Sequence, residues 1–158
     1  MLAALAALRV GAGLVTVAGP AGVVEQAAAP FPELMTQPFK GQKGALTESA
    51  YAQLLAFLSR RATVLAIGPG LGRAASTGRL VRKVLASSAL PAVVDADALF
   101  PYSGKVAALR GRKAATVITP HPGEAARLLE TSVQEVQADR EAAAFHIAEA
   151  SGATVVLK

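Results

Sequence analysis

The sequence predicts an α/β fold, a mostly parallel sheet with helices on both faces, and three observations lead there. Short runs rich in Val, Ile and Leu recur at residues 14–18, 63–67, 92–95, 115–119 and 154–157, with helical or mixed segments between them. Strands buried in a parallel sheet and joined by crossover helices read this way. Hydrophobic residues make up 53% of the 158 positions against 17% charged, so the chain can bury a core and is no disordered polymer. The apolar share is Ala, Val and Leu, with 4% aromatic residues, which suits helices packed closely on a sheet and leaves few platforms for stacked bases.

Taken in order, residues 1–10 read as a buried helix. No basic residue precedes the apolar run and Arg9 interrupts it early, unlike a secretion signal. The first strand follows at residues 14–18. Residues 30–43 hold Pro30, Pro32, Pro38, Gly41 and two phenylalanines, and read as one long irregular connection. Residues 47–60 form a helix with Thr47 as its N-cap and Tyr51, Leu54, Leu55 and Leu58 on one face. Residues 76–87 repeat the pattern with Leu80, Val81, Val84 and Leu85 inward. A short helix is expected at residues 98–102. A long one spans residues 133–151, with Val136, Phe145 and Ile147 among its apolar positions and Gly152 as C-cap. No repeat or interdomain linker interrupts the chain, so residues 1–158 make one domain.

Sixteen basic against eleven acidic residues give a net charge of +5. Arg60, Arg61, Arg73, Arg79, Arg82, Lys83, Arg110, Arg112 and Lys113 are spread over several elements, whereas nucleic-acid binding needs a contiguous stripe. The spread suits solvated faces and an anionic small ligand, not a nucleic-acid partner. No stretch reaches the roughly 18 apolar residues of a membrane span. Zero cysteine excludes disulfides and thiolate metal sites, and two histidines exclude a histidine-rich metal centre. A cytoplasmic location is expected.

Three of the strands discharge into chemistry at what should be one sheet edge, where parallel sheets bind ligands. After Ile67 come Gly68, Gly70 and Gly72, glycines that let backbone N–H groups approach an anion or a flat polar ligand. The spacing matches neither a dinucleotide fingerprint nor a Walker loop, and a plain tight turn fits as well. Asp95 and Asp97 follow the third strand and would point the same way on an extended chain. Together they can hold a magnesium-bound phosphate or a sugar hydroxyl, while Asp97 can equally cap the short helix after it. His121 lies between two prolines at a helix start, where the dipole favours a neutral ring that makes one hydrogen bond, to a ligand or to its own turn. Glu124, in the first turn, suits the dipole with or without a ligand. His146 lies far from any strand end.

Five segments in this order, Gly11-Ala12-Gly13-Leu14-Val15-Thr16-Val17-Ala18, Ile67-Gly68-Pro69-Gly70-Leu71-Gly72, Val94-Asp95-Ala96-Asp97-Ala98-Leu99, Thr119-Pro120-His121-Pro122-Gly123-Glu124 and Thr154-Val155-Val156-Leu157-Lys158, resemble the ADP-dependent NAD(P)H-hydrate dehydratase family along the whole chain. The resemblance implies a ribokinase-like fold. It implies ADP-dependent dehydration of the S-epimer of hydrated NADH or NADPH, releasing AMP and phosphate and restoring the reduced cofactor. The implied partners are the hydrated dinucleotide and ADP or ATP with Mg2+, in a homo-oligomeric protein. Position by position, Gly68, Gly70, Gly72 and His121 match the contacts to the hydrated dinucleotide, and Lys158 matches the start of a nucleotide-binding segment. Asp95, Asp97 and Glu124 support the site.

Two departures qualify the match. Phe100 stands where the family has asparagine, which puts a polar contact there in doubt. The Gly-x-Gly-Asp motif whose aspartate serves as base has no counterpart up to Lys158, and Met1 falls inside the first helix, so the expectation is a fragment truncated at both ends. It should be inactive by itself, with an incompletely covered sheet that favours a poorly soluble or swapped oligomer. Two other readings stand beside it: a small-alcohol kinase of the hydroxyethylthiazole type, which would phosphorylate without dehydrating, and a non-catalytic nucleotide-binding remnant.

Overall fold

All 158 residues are described by a computed structural model. The chain runs α1 (Leu2–Arg9), β1 (Thr16–Pro20), α2 (Ala21–Ala28), β2 (Met35–Phe39), β3 (Gly41–Gln42), β4 (Ala45–Leu46), α3 (Tyr51–Arg61), β5 (Leu65–Ile67), α4 (Ala75–Ser87), β6 (Ala92–Val94), β7 (Thr116–Ile118), α5 (Pro122–Leu129), α6 (Val133–Ala138), α7 (Arg140–Ser151) and β8 (Thr154–Val155). Strands β5, β6, β7 and β8 pair in that order, all parallel. Each link from one to the next therefore crosses over through helix or turn, as parallel pairing demands.

Alternation along these strands sorts the side chains onto two faces. Ala92, Val94 and Ile118 point into a core shared with Val81 and Leu85 of α4, Ala125 and Leu128 of α5, and Ile147 of α7. Burying such side chains contributes roughly 1.5–3 kcal/mol each, which makes this face the main source of stability. A second cluster, Leu54 and Leu58 of α3 with Leu80 and Val84 of α4, shows that α4 is apolar on two sides and lies between the sheet and α3. The opposite row of the sheet, Ala66, Val93, Val117 and Thr154 in register, is open, with Val64 and Val156 also exposed beside it. No helix is long and apolar enough to cross a membrane.

The structure corrects the sequence reading at several elements. Helix α1 forms but buries no residue: Leu2 is 86% exposed, and Leu5 and Leu8 are only partly covered. The run at residues 14–18 becomes β1, which pairs in parallel with β2 in a separate two-stranded sheet. Residues 30–43 thus hold strands rather than an irregular connection. Pro38 is tolerated in β2, opposite Gly19, since the strand pairs on one side only and can spare a donor. Thr47 does not cap α3; its hydroxyl lies 2.9 Å from Ser49 Oγ, and a 3-10 turn, Glu48–Ala50, leads into the helix. The helix expected at residues 98–102 is a pair of 3-10 turns, Ala96–Ala98 and Phe100–Tyr102. The long helix breaks at Asp139, whose carboxylate caps α7 by accepting from Ala142 N at 2.9 Å. Phe145 faces solvent, while Val136 and Ile147 are buried and Gly152 does cap the end in a left-handed conformation.

Candidate functional site

Gly68 closes β5, and its conformation (φ +138°) is one that side chains disfavour. A Cβ there would stand 1.6 Å from the Asp95 carbonyl oxygen, so only glycine lets the loop pass beneath the end of β6. Asp95 N donates to Ile67 O at 3.0 Å and fixes the crossing. Gly70 and Gly72, both with positive φ, have nothing within 4 Å of the place a Cβ would take. Their outer side is therefore open to a ligand. The Gly72 amide donates to Asp97 Oδ2 at 3.0 Å, and Arg73 Nε donates to Asp97 Oδ1 at 3.0 Å.

Asp95 and Asp97 do not act as one pair. Ala96 takes a left-handed turn (φ +50°) that ends the extended run, so the two carboxylates part. Asp97 caps no helix and instead ties the glycine loop to Arg73. Asp95 accepts from Lys158 Nζ at 2.6 Å. Partial burial pushes the Asp95 carboxyl up, but hydrogen bonds from Lys158, Thr119 and the Ala96 backbone, with the lysine's charge, outweigh it and hold the group below its ordinary value.

Beyond β7, His121 caps α5. Its Nδ1 accepts from Gly123 N at 3.0 Å and Glu124 N at 3.3 Å, and Glu124 Oε2 accepts from His121 N at 2.9 Å, a reciprocal capping box. The turn is thus locked from both sides. With Nδ1 accepting, the ring N–H is Nε2, which lies 3.3 Å from Glu124 Oε1. The ring is half exposed while Glu124 is buried. The Lys158 amide donates to Pro120 O at 2.9 Å, and Arg140 Nη2 donates to Lys158 O at 2.7 Å and Leu157 O at 3.2 Å. Lys158 Nζ stands 4.0 Å from Glu124 Oε2.

The edge therefore gathers two groups: Asp95, Glu124 and Lys158 around one ammonium, and Gly72, Arg73 and Asp97 around one carboxylate. His146 lies away from both, on α7. Arg73 and Arg140 were not singled out from the sequence. Arg73 had a signal, its place directly after Gly72, whereas nothing local marks Arg140. No three His, Asp or Glu side chains converge on a metal position. Mg2+ is held by one or two free carboxylates with ligand phosphates, and here Asp95 and Asp97 are both engaged by cations, so these residues do not fit a Mg2+ cage. An open groove of about 640 Å³ between the start of α2 and β2 to β4 is lined by Gln26, Lys40 and Gln53 among others and holds none of these residues.

The sequence profile of the family described as NAD(P)H-hydrate dehydratase matches residues 1–158. The chain is 45% identical over 158 residues to the bifunctional NAD(P)H-hydrate repair enzyme Nnr of Moorella thermoacetica, covering 99% of this chain and 30% of that protein. It is 42% identical over 157 residues to the enzyme of the same name from Coxiella burnetii, covering 99% and 29%. Among solved structures, an ADP/ATP-dependent NAD(P)H-hydrate dehydratase from Bacillus subtilis, co-crystallised with ATP/Mg2+ and soaked with CoA, superposes with a TM-score of 0.73 at 27% identity, over 99% of this chain and 53% of that one. The chain thus spans about a third of the curated relatives it matches and about half of the solved structure.

Proposed function

The chain belongs to the NAD(P)H-hydrate dehydratase family, and on that premise we propose that its sheet edge binds the S-epimer of hydrated NADH or NADPH for ADP-dependent dehydration. The observation that carries the proposal is the convergence of three strand ends on one edge, with the outer side of Gly70 and Gly72 open after β5 and the His121 ring half exposed after β7. In the reaction, a bond forms between the added hydroxyl and the β-phosphorus of ADP, and the bond to AMP breaks. The ring nitrogen's electron pair then expels phosphate, and loss of a proton from the neighbouring carbon restores the ring double bond.

Each residue has a defined part in this reading. The open glycine backbone accepts the hydrated nicotinamide ring without a Cβ in the way, and the half-exposed His121 ring, locked by its capping box, turns its Nε2–H from Glu124 Oε1, 3.3 Å away, to a substrate oxygen. Lys158 Nζ, held by Asp95, offers a cation to a nucleotide phosphate. Asp95, Asp97 and Glu124 are all engaged in ion pairs or capping bonds. None stands free as the base that takes the hydroxyl proton, so that base lies outside this set. Mg2+, when present, supplies charge neutralisation on the nucleotide phosphates. The reading makes the protein a cytoplasmic enzyme, acting as a homo-oligomer, that uses ADP or ATP.

The test mixes S-epimer hydrated NADH, ADP and Mg2+ with the polypeptide its gene encodes and follows recovery of reduced-nicotinamide absorbance. One AMP and one phosphate per restored cofactor is expected. A phosphorylated product that keeps its water would favour the small-alcohol kinase reading instead.

A further inference from the structure

We infer that Arg73 is a phosphate-reading residue at the mouth of this site, held in readiness by Asp97 and Phe100. The inference rests on the functional reading above and extends it to a residue outside the glycine and histidine motifs. Arg73 directly follows Gly72 and is anchored twice. Its Nε donates to Asp97 Oδ1 at 3.0 Å, and its guanidinium carbon lies 5.3 Å from the centre of the Phe100 ring, a cation–π arrangement.

These anchors use one of the five guanidinium N–H donors. Both terminal NH2 groups are left without a protein partner, on a side chain half exposed to solvent. A guanidinium that existed only to close the loop would be expected to meet the carboxylate as a two-pronged fork. Here the second carboxylate oxygen is taken by the Gly72 amide at 3.0 Å. Asp97 therefore holds Arg73 and the Gly72 amide on one carboxylate, so that the spare donors belong to the residue directly following the open glycine loop. Phe100, itself 41% exposed, fills the space beneath the guanidinium. A planar, permanently charged group held by its edge and face, with its outer donors free, matches the geometry of a phosphate oxyanion.

Two ligands of the proposed reaction carry that chemistry, the hydrated dinucleotide and ADP. Calorimetric titration of the polypeptide its gene encodes with each separates them, using the parent, Arg73→Ala, Arg73→Lys and Phe100→Ala. Hydrated dihydronicotinamide riboside, which lacks phosphate, serves as the neutral probe, and thermal melts show that each variant folds. Loss of one charge-assisted phosphate contact should weaken one of the two phosphate ligands ~10-fold in Arg73→Ala. Binding should be partly restored in Arg73→Lys, less affected in Phe100→Ala, and unchanged for the neutral probe; the ligand that weakens is the one Arg73 reads. Equal binding of both phosphate ligands by parent and Arg73→Ala would overturn the inference, as would equal weakening of the neutral probe, which marks a purely structural role. If the parent binds none of the three, the dehydratase reading itself fails and Arg73's role with it.

Discussion

Replacing Gly68 by alanine is the sharpest structural test of the site, because the required displacement can be read from the coordinates. The new Cβ would lie 1.6 Å from Asp95 O and 2.6 Å from Asp95 C, where side-chain carbons essentially never come within 3.0 Å. The strand end must move by more than an ångström, and both atoms in the way are backbone. That movement breaks the bond from Asp95 N to Ile67 O and strains the one from Ala98 N to Asp95 O, each contributing about 1 kcal/mol. The positive φ adds roughly 1–3 kcal/mol. The sum, about 4 kcal/mol, lowers Tm by about 12 °C for a chain of this size. Gly70→Ala is the control, since it has positive φ but open space, and should cost about 1.5 kcal/mol, or about 4–5 °C. Thermal denaturation followed by circular dichroism measures both. A Gly68→Ala protein that melts with Gly70→Ala would refute the claim that the glycine loop is pinned beneath Asp95.

Four further outcomes follow from the same geometry. His121→Ala removes an acceptor from two backbone donors and should cost about 1 kcal/mol, whereas His121→Asn keeps the cap; loss of hydrated-dinucleotide binding in the asparagine variant with its Tm retained would assign the imidazole to the ligand. The Asp95 carboxyl is held below its ordinary value of 3.8, so its contribution is present above that pH and lost as pH falls through the lower folded value; melts between about pH 5 and about pH 2 should show a steeper acid loss in the parent than in Asp95→Asn. Burial, countered in part by Arg112 and Arg82, pushes the Tyr102 hydroxyl from 10.0 up to about 12, so the stability it adds is present below about pH 10 and lost as pH rises through about 12, a slope Tyr102→Phe should lack. The open apolar row carrying Val64, Val93 and Val156 should make the 158-residue chain self-associate in light scattering, and Val93→Lys should reduce the association.

The parallel sheet was legible because its four strands are short apolar runs, three of them ending in glycine, carboxylate or proline, a pattern that buried strands impose locally. Residues 14–18 show the same pattern and were placed in the same sheet, yet they pair with β2, whose proline disguised it as a loop. Strand existence is a local property, but choice of partner is not. The N-terminal helix was legible as a helix, while its burial depends on a packing partner that composition does not reveal. At the site, Gly68, Asp95, Asp97 and His121 announced themselves by position. Their pairing did not, because Lys158, placed at the site by the resemblance, reaches Asp95 across 63 positions and Arg73 reaches Asp97 across 24. The fate of Asp97 turned on one left-handed residue, Ala96, and an alanine carries no sign of positive φ.

The central claim, that this sheet edge receives hydrated NADH, is tested most directly by titrating the polypeptide its gene encodes with the S-epimer of hydrated NADH and following backbone amide resonances. Saturable shifts centred on Gly70, Gly72, Gly123 and Lys158, at ligand concentrations where unhydrated NADH causes smaller ones, are predicted. Shifts confined to the groove around Gln26 and Lys40, or no saturable shifts at all, would contradict it.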